Sequence, residues 1–496
     1  MVRAGGEVCT PAMYQITTDW FKYLPGGSHD RVRSAASFPL FYYASMRIAP
    51  PPPPLGRAFG SLRAPAFRWW FASQVLSASG TMTQGVAQSW LVLKLTGSGL
   101  DLGLLGSCYM LPVLVGGPWA GALADRIDRR RLLIATQSIF IVSASLLAAL
   151  TWSGAVRVWM LFAIAFVTGA VSAPDSAARQ VYVLDLVGGR ELASAISLNE
   201  VVLNVSRVVG PAMGGIFLAT LGIPVCYVAN AISYLPPLLV LLVLHRKGRL
   251  PAASQASGTG VPDVTPEPAS ATSAAAGRGR RPRGQVRAGL RYVWSTPVLR
   301  FTVLMAAASG MLFNLGVALP LLATRVFHLG GGGYGLMMAV FGLGGVAGAF
   351  LAASARGQPR GREVRLLGAL TGVAVLATAA APGAELAFAG LAVTGCLSIW
   401  FIARANTLAQ LRADPAMRGR VMGIWTMALP GTSPVTGPTI GLVAETAGAR
   451  AGFGLAGIAL LITAGAGWRA MADNGPLRQA AEAPLSSHAG APQPAP

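Results

Sequence analysis

Twelve stretches of mostly apolar residues, each about 20 residues long, follow one another along the chain. A helix rises 1.5 Å per residue, so about 20 residues cross a hydrocarbon layer of roughly 30 Å. The pattern predicts an all-α membrane protein with twelve transmembrane helices in two six-helix halves. The predicted spans are 67–93, 101–123, 131–152, 156–177, 192–219 and 222–244, then 299–324, 333–354, 364–382, 385–408, 420–443 and 450–469.

Polar, proline-rich and alanine-rich segments separate these halves and flank them. Such compositions cannot bury enough apolar surface to fold, so they predict disorder. Within the linker between the halves, residues 285–298 are expected to form an amphipathic segment along the cytoplasmic surface. We expect the natural start at Met46, which would make the preceding residues a misassigned extension. The predicted regions are an extension 1–63, a first half 64–245, a cytoplasmic linker 246–296, a second half 297–470 and a tail 471–496.

Composition supports the membrane assignment. Charged residues make up 11% of the chain and hydrophobic residues 53%, whereas soluble domains carry roughly 25% charged residues. The net charge of +21 does not indicate nucleic-acid binding, because the arginines lie in short loops and not on one soluble face. The cysteines and histidines show no ligand spacing, so we expect no metal site and no cofactor.

The basic residues also predict an orientation. With the N-terminus inside, the inward loops hold 24 lysines and arginines and the outward loops hold 4. Basic loops stay on the cytoplasmic side of a membrane. We therefore expect a multi-pass protein of the bacterial plasma (inner) membrane with both termini in the cytoplasm.

A cluster of charge, Gly121-Ala-Leu-Ala-Asp-Arg-Ile-Asp-Arg-Arg-Arg-Leu-Leu133, connects predicted spans 2 and 3. It resembles the G-x-L-a-D-R-x-x-R-R signature of loop 2–3 in the major facilitator superfamily. The resemblance implies that Asp125 acts as a latch, set against the positive N-terminal end of span 11 near Arg420 to Trp425. It also implies that the gating loop includes Gly121, Arg126, Arg129 and Arg130. The guanidiniums of these arginines would pair with acidic groups or lipid phosphates.

The two halves repeat one another. Gly210-Pro211 lies 227 residues before Gly437-Pro438, and the same shift carries Gly121 onto Gly348. Ala352 stands where the first copy has Asp125, so an interaction made by that aspartate belongs to one half only. Parallel six-helix repeats are how this superfamily is built, with the substrate held between the halves near the midplane.

Span 5 contains a glycine–proline motif made of Gly210, Pro211, Gly214 and Gly215. It resembles the G-P-x-x-G-G core found in span 5 of proton-coupled exporters, although Ser206 replaces an upstream glycine. Small residues let a neighbouring helix come close, and the proline removes one backbone donor. Ordinary close packing is the alternative interpretation.

Glu200, Asn204 and Arg207 share one face of the same span, because they are spaced at i, i+4 and i+7. A charge in a membrane is costly and needs a partner or water. We assign Glu200 and Arg207 to proton coupling and take Asp175, in span 4 beside Arg179, as the next proton site. The alternative is that these groups are polar ties between helices.

A polar stripe on span 1 predicts the lining of a transport cavity, since lipid would not tolerate its glutamines. Spans 1, 4, 7 and 10 line the central cavity in the family that the chain resembles. Hydrogen bonding between helices is the alternative. The residues assigned to the cavity are Gln74, Thr81, Gln84, Gln88, Ser172, Asn204, Asn314 and Asn406.

Several segments carry a closer resemblance: Trp90–Gly97, the gating loop, Asn204–Gly215, Ala405–Leu408 and Arg418–Met422. On them, residues 65–470 most resemble the bacterial transmembrane-secretion group, which includes macrolide-efflux and enterobactin-export proteins. That resemblance implies a monomeric secondary transporter, in contact with the lipid bilayer, which exports a hydrophobic or amphiphilic small molecule (drug, macrolide or siderophore-like) by proton antiport and alternating access. No phosphate-cradling loop is present and nothing indicates an enzyme. An importer or facilitator on the same fold, or a receptor or scaffold that transports nothing, are the alternatives.

Overall fold

The computed structural model describes residues 60–188, 191–246, 282–355, 357–429 and 431–472. Met46 and the extension before residue 60, residues 247–281 of the linker, and the tail from residue 473 lie outside the described residues. All regular structure in the described ranges is helical, as predicted.

The first set of helices runs from α1 to α7. A short 3-10 turn, Gly60–Arg63, precedes it. The helices are α1 (Pro65–Thr96), α2 (Gly99–Arg126), α3 (Arg129–Trp152), α4 (Val158–Val187), α5 (Leu192–Thr220), α6 (Ile223–Ser233) and α7 (Leu235–Arg246).

The second set runs from α8 to α16. Its helices are α8 (Pro282–Ser295), α9 (Pro297–Leu312), α10 (Leu315–Arg325), α11 (Gly331–Ser354), α12 (Gly361–Ala379), α13 (Ala384–Arg412), α14 (Arg418–Ala428), α15 (Ser433–Thr446) and α16 (Ala449–Ala466).

Among the described helices, eight segments are long and apolar enough to cross a membrane by themselves. They are α3, α4, α11, α13 and α16, parts of α2 and α5, and the α6–α7 pair. Predicted spans 1, 7, 9 and 11 are not among them. Helix α1 carries the polar stripe, α12 begins with charged residues, and the other two spans are broken into shorter helices.

Three predicted spans that we expected to be continuous contain breaks. Span 222–244 breaks at Tyr234, just before Pro236-Pro237, span 299–324 breaks at Phe313-Asn314, and span 420–443 breaks between α14 and α15. Proline lacks a backbone N–H and disrupts the helix preceding it. Such breaks inside a membrane-spanning region need polar partners for the freed backbone groups.

Helix α8 corrects the assignment of residues 246–296 to a disordered linker, because its Pro282–Ser295 portion is helical. It overlaps the amphipathic segment predicted at 285–298. Helix α8 meets α9 at a bend of 109° and packs against α14, where Gly289 faces Arg420. Val293 is buried and Trp294 is exposed.

Helix α10 contacts α1 and α2, and the most extensive contacts between the two sets are those of α2 with α15 and of α5 with α11. Glycines lie at both contacts. A Cβ at Gly335 would fall 2.2 Å from the Cα of Gly215, and one at Gly441 would fall 2.1 Å from the oxygen of Gly99. Backbones can approach this closely only because neither residue has a side chain.

Candidate functional site

Asp175 is the centre of a buried polar cluster between α3 and α4. Asp175 as a whole residue is 5% exposed to solvent. One carboxylate oxygen accepts hydrogen bonds from Thr136 Oγ1 at 2.7 Å and Gln137 Nε2 at 3.1 Å. The other oxygen pairs with Arg179, one turn later on α4. A buried carboxylate is stable only with such partners, so the cluster satisfies a charge that would otherwise be costly.

The polar stripe of α1 faces its own helix set. Thr81 Oγ1 and Tyr234 Oη lie 2.9 Å apart. Gln84 Oε1 accepts a bond from Asn230 Nδ2 at 2.6 Å, and Gln88 Nε2 donates to the oxygen of Leu161 at 3.4 Å. These bonds join α1 to α4, to α6 and to Tyr234 at the break between α6 and α7. For these three residues, the geometry favours hydrogen bonding between helices.

Gln74 is buried in the same stripe, and its Nε2 has no hydrogen-bond partner among the described residues. Ser172 on α4 accepts a bond from Tyr109 Oη at 3.1 Å. Tyr109 belongs to α2, the helix that contacts the second set through α15. Ser172 is therefore bonded to a helix that lies at the contact between the sets.

The predicted proton face of α5 is more open than expected. Glu200 and Arg207 are both exposed, and no ion pair joins them among the described residues. Asn204 donates to the backbone oxygen of Glu200 within its own helix at 2.9 Å. In the described contacts, the three groups do not form a bonded cluster like the one around Asp175.

The glycine–proline motif of α5 lies between two helices. A Cβ at Gly210 would lie 2.4 Å from the Cβ of Met82 on α1, and Thr83 Oγ1 donates to the oxygen of Gly210 at 2.8 Å. A Cβ at Gly215 would lie 3.0 Å from the oxygen of Gly332 on α11. Gly214 packs on α1 near Val86, and Pro211 is inside α5. The motif thus brings α5 close to one helix from each set.

The loop between α2 and α3 is anchored to its own helix set. Arg129 donates to both carboxylate oxygens of Asp185, at 3.0 and 3.1 Å, and Arg130 Nε donates to the oxygen of Leu241 at 2.8 Å. Asp128 caps α3 by accepting from the N–H of Arg131. Arg126 is exposed at the end of α2. The backbones of Gly121 and Asp125 are in α2, and the side chain of Asp125 lies outside the described part of the structure.

The second set has fewer polar groups in its interior. Arg404 Nε is 2.6 Å from Glu363 Oε1 and Arg404 Nη2 is 2.9 Å from Glu363 Oε2, so the pair is bidentate. Asn314, at the break between α9 and α10, donates to Thr436 Oγ1 at 3.0 Å. Among the described contacts, the side chain of Asn406 accepts a hydrogen bond only from Gln410, one turn later in α13.

Several residues of these clusters were not predicted from the sequence. Asn230 and Tyr234 carry no charge, and only the fold shows that they face α1. Thr136 and Gln137 are consecutive polar residues in an otherwise apolar stretch, a signal that could have pointed to them. Glu363 was not predicted to pair with Arg404, although Ala403-Arg404 near the end of predicted span 10 echoes Ala178-Arg179 after predicted span 4.

Comparison with known proteins identifies relatives of the whole helical region. A family profile described as transmembrane secretion effector, of MFS type, matches residues 57–256 and 278–493. The multidrug efflux pump Tap of Mycolicibacterium fortuitum is 29% identical over 400 residues, which cover 79% of this chain and 92% of that protein.

The staphyloferrin A transporter of Staphylococcus aureus is 33% identical over 182 residues, but the match spans only 46% of its length and 36% of this chain. Among solved structures, a bacterial homologue of the human lysosomal transporter Spinster, inward-facing and unoccupied, is similar with a TM-score of 0.59 and 16% identity. That similarity covers 82% of this chain and 97% of the other, and it supports the fold alone.

Proposed function

The chain belongs to the transmembrane secretion effector family, and on that premise we propose that it exports a hydrophobic or amphiphilic small molecule in exchange for protons. It is a membrane transporter of MFS type and not an enzyme. The efflux pump to which it is similar over most of its length supports the export direction. The observation that carries the coupling mechanism is Asp175, a buried carboxylate on a helix of membrane-spanning length.

We propose that the helices make twelve spans in two repeated halves, with both termini in the cytoplasm. Counting each of the three broken pairs (α6–α7, α9–α10 and α14–α15) as one span supports this number. The contacts of α2 with α15 and of α5 with α11 support the repeat, because spans 2 and 5 of one half would meet spans 11 and 8 of the other.

Asp175 is a better proton carrier in this proposal than Glu200. Three partners contact its carboxylate oxygens, and a proton on that carboxylate would release Arg179 and weaken the bonds from α3. Proton uptake would therefore change the packing of α3 against α4, which is how a bound proton can shift a conformational equilibrium. Glu200 is exposed and its protonation would break no described bond between helices.

The substrate would lie between the two sets. Ser172, Asn314 and the exposed face of α5 that carries Asn204 would contact it there. Asp125 at the end of α2 would latch the cytoplasmic side when that side closes, by facing the N-terminal end of α14. Opening one side while the other closes would move the substrate across the membrane.

The test is transport in proteoliposomes with an imposed pH difference, using a panel of fluorescent amphiphilic dyes. With permanently charged dyes, which are not trapped by protonation, an antiporter accumulates dye against its gradient in the acidic compartment, and an empty liposome does not. Accumulation that persists after the pH difference is collapsed contradicts proton coupling. The same experiment separates the alternatives, because a facilitator only equilibrates the dye and a receptor or scaffold gives no flux.

A further inference from the structure

Glu445, near the C-terminal end of α15, holds the N-terminal end of α2. Its Oε1 accepts a hydrogen bond from Ser98 Oγ at 2.7 Å and another from the N–H of Leu100 at 3.2 Å. Ser98 is also the N-cap of α2, since its hydroxyl accepts from the N–H of Asp101. A carboxylate at this position satisfies unpaired backbone donors and interacts favourably with the helix dipole.

A second charged group joins the two sets at the same place. Arg325, in the last turn of α10, donates to the backbone oxygen of Gly97. The turn between α1 and α2 is therefore held from two elements of the second set, α10 and α15. Arg325 also faces a surface cavity of about 490 Å³ that borders Trp90 and Lys94, so solvent reaches this contact.

Close backbone packing continues beside these bonds. Ser107 Oγ donates to the oxygen of Pro434 at 2.9 Å, and a Cβ at Gly103 would lie 2.5 Å from the oxygen of Gly437. The first turns of α2 are thus packed directly on α15. This end of the contact between the two sets is closed.

We propose that Glu445, Ser98 and Arg325 form the latch that keeps this end of the transporter closed, and that it must open once in each transport cycle. The proposal rests on alternating access as proposed above. Opening would separate α2 from α15, so Glu445 would leave Ser98 and Leu100. Glu445 and Arg325 are positioning residues, because they act on the helices and not on the substrate.

The latch requires the carboxylate of Glu445 to be ionised. Its bonds from Ser98 and the N–H of Leu100, with help from Arg325, lower the pKa of this carboxyl below its usual range. The other charged groups on the packed elements at this end are Lys94 in the last turn of α1 and Asp101 in the first turn of α2. Arg450 on the neighbouring α16 donates to the oxygen of Ala381.

A carboxyl whose pKa is lower in the closed state stabilises that state above its open-state pKa. The stabilisation is lost as the pH falls through the closed-state pKa. An ordinary glutamate titrates at about 4.3, so the latch holds at neutral pH and weakens only in acid, below that range.

The experiment measures the distance between spin labels at the closed end, in lipid nanodiscs and without substrate. Labels at Ser153→Cys and Pro382→Cys, in a cysteine-free background, report on the α3–α4 and α12–α13 turns. The alternation of helix direction places both turns at the Glu445 end, and both residues are exposed. Since exposed ion pairs and caps are individually weak, we expect Glu445→Gln to raise the ratio of long to short distances about 2- to 5-fold.

Glu385→Gln is the matched control, because it removes an exposed carboxylate at the same end, in the first turn of α13. It is expected to leave the ratio unchanged. Ser98→Ala should act in the same direction as Glu445→Gln, and the combined effect should be less than additive, since both substitutions alter the Ser98–Glu445 bond. Lowering the pH from 7 to about 3, below the ordinary range of a glutamate, should raise the ratio in the wild type and not in Glu445→Gln.

An unchanged distance distribution in Glu445→Gln at pH 7 overturns the latch, and so does an equal shift in Glu385→Gln. Additive effects of Ser98→Ala and Glu445→Gln also contradict it. These results are independent of whether the protein transports any dye, so a failure of the proposed export and a failure of the latch are distinguished.

Discussion

The two helix sets each contain an arginine–carboxylate pair at a corresponding point of the chain, but the pairs are built differently. In the first set, Asp175 and Arg179 are one turn apart on α4, and α3 contributes the neutral donors Thr136 and Gln137. In the second set, Arg404 on α13 pairs with Glu363 on a different helix, α12. The side chain of Asp175 is 7% exposed and that of Glu363 is 32% exposed.

This difference separates a candidate for coupling from a structural tie. Removing the charge of Asp175 would leave Arg179 without its partner and change the packing of α3 on α4. Removing the charge of Glu363 would loosen a pair that solvent already reaches. The loop signature shows the same asymmetry, because the first copy has Asp125 and the second has Ala352.

The largest effect is expected from Asp125→Asn, which should nearly abolish transport while membrane insertion is normal. The substitution keeps the shape and removes a charge that is worth about 0.3–1 kcal/mol at a helix N-terminus, and up to about 2 kcal/mol when partly buried. Dye export and membrane content are measured together. Ala352→Asp, which adds an acid to the second copy, should leave export near wild type. Normal export by a well-inserted Asp125→Asn protein would rule out the cytoplasmic latch.

Asp175→Asn should reduce pH-driven accumulation of dye by about tenfold or more, equivalent to about 1.4 kcal/mol. Exchange of dye without a gradient should survive, because the amide can still bond to α3. Glu200→Gln is the comparison, since that carboxylate is exposed. If Glu200→Gln loses gradient-driven export and Asp175→Asn does not, the proton site belongs on α5.

Gly210→Ala should destabilise the protein more than Gly437→Ala, its counterpart in the repeat. The new Cβ would lie 2.4 Å from Met82 at the first site, whereas at the second the nearest atom is 3.1 Å away. Overpacking of this kind costs about 1–3 kcal/mol. The melting temperatures of the two variants in detergent test this prediction. A larger drop in melting temperature for Gly437→Ala would show that α1 and α5 can move apart to accept a Cβ more easily than α2 and α15 can.

Glu363→Gln should have the smallest effect, a loss of about 1 kcal/mol or less, because partly exposed ion pairs contribute little. Transport should remain close to wild type. Melting temperature and dye export, measured in parallel on this variant and the wild type, test both expectations. Loss of pH-driven export in this variant would mean that the two pairs have similar roles, and that the difference in burial is not what matters.

Much of the fold and some of the site could be predicted from residues taken along the chain. The repeat of Gly210-Pro211 in Gly437-Pro438 and the loop around Asp125 led to the family. Arg129 was expected to pair with acidic groups or lipid phosphates, and in the structure it pairs with Asp185. The breaks at Tyr234 and Asn314 were missed, because a hydropathy pattern does not register where a helix is interrupted inside an apolar stretch.

Sequence spacing alone determined the membrane class, the helical stretches and the set of polar residues that share one face of α1. Only the tertiary structure decided what that face meets. Gln84 bonds to Asn230 and Ser98 to Glu445, pairs separated by 146 and 347 positions. The period of a helix specifies which side chains point in one direction, but the neighbour in that direction depends on how distant helices pack, and spacing within one helix carries no information about that.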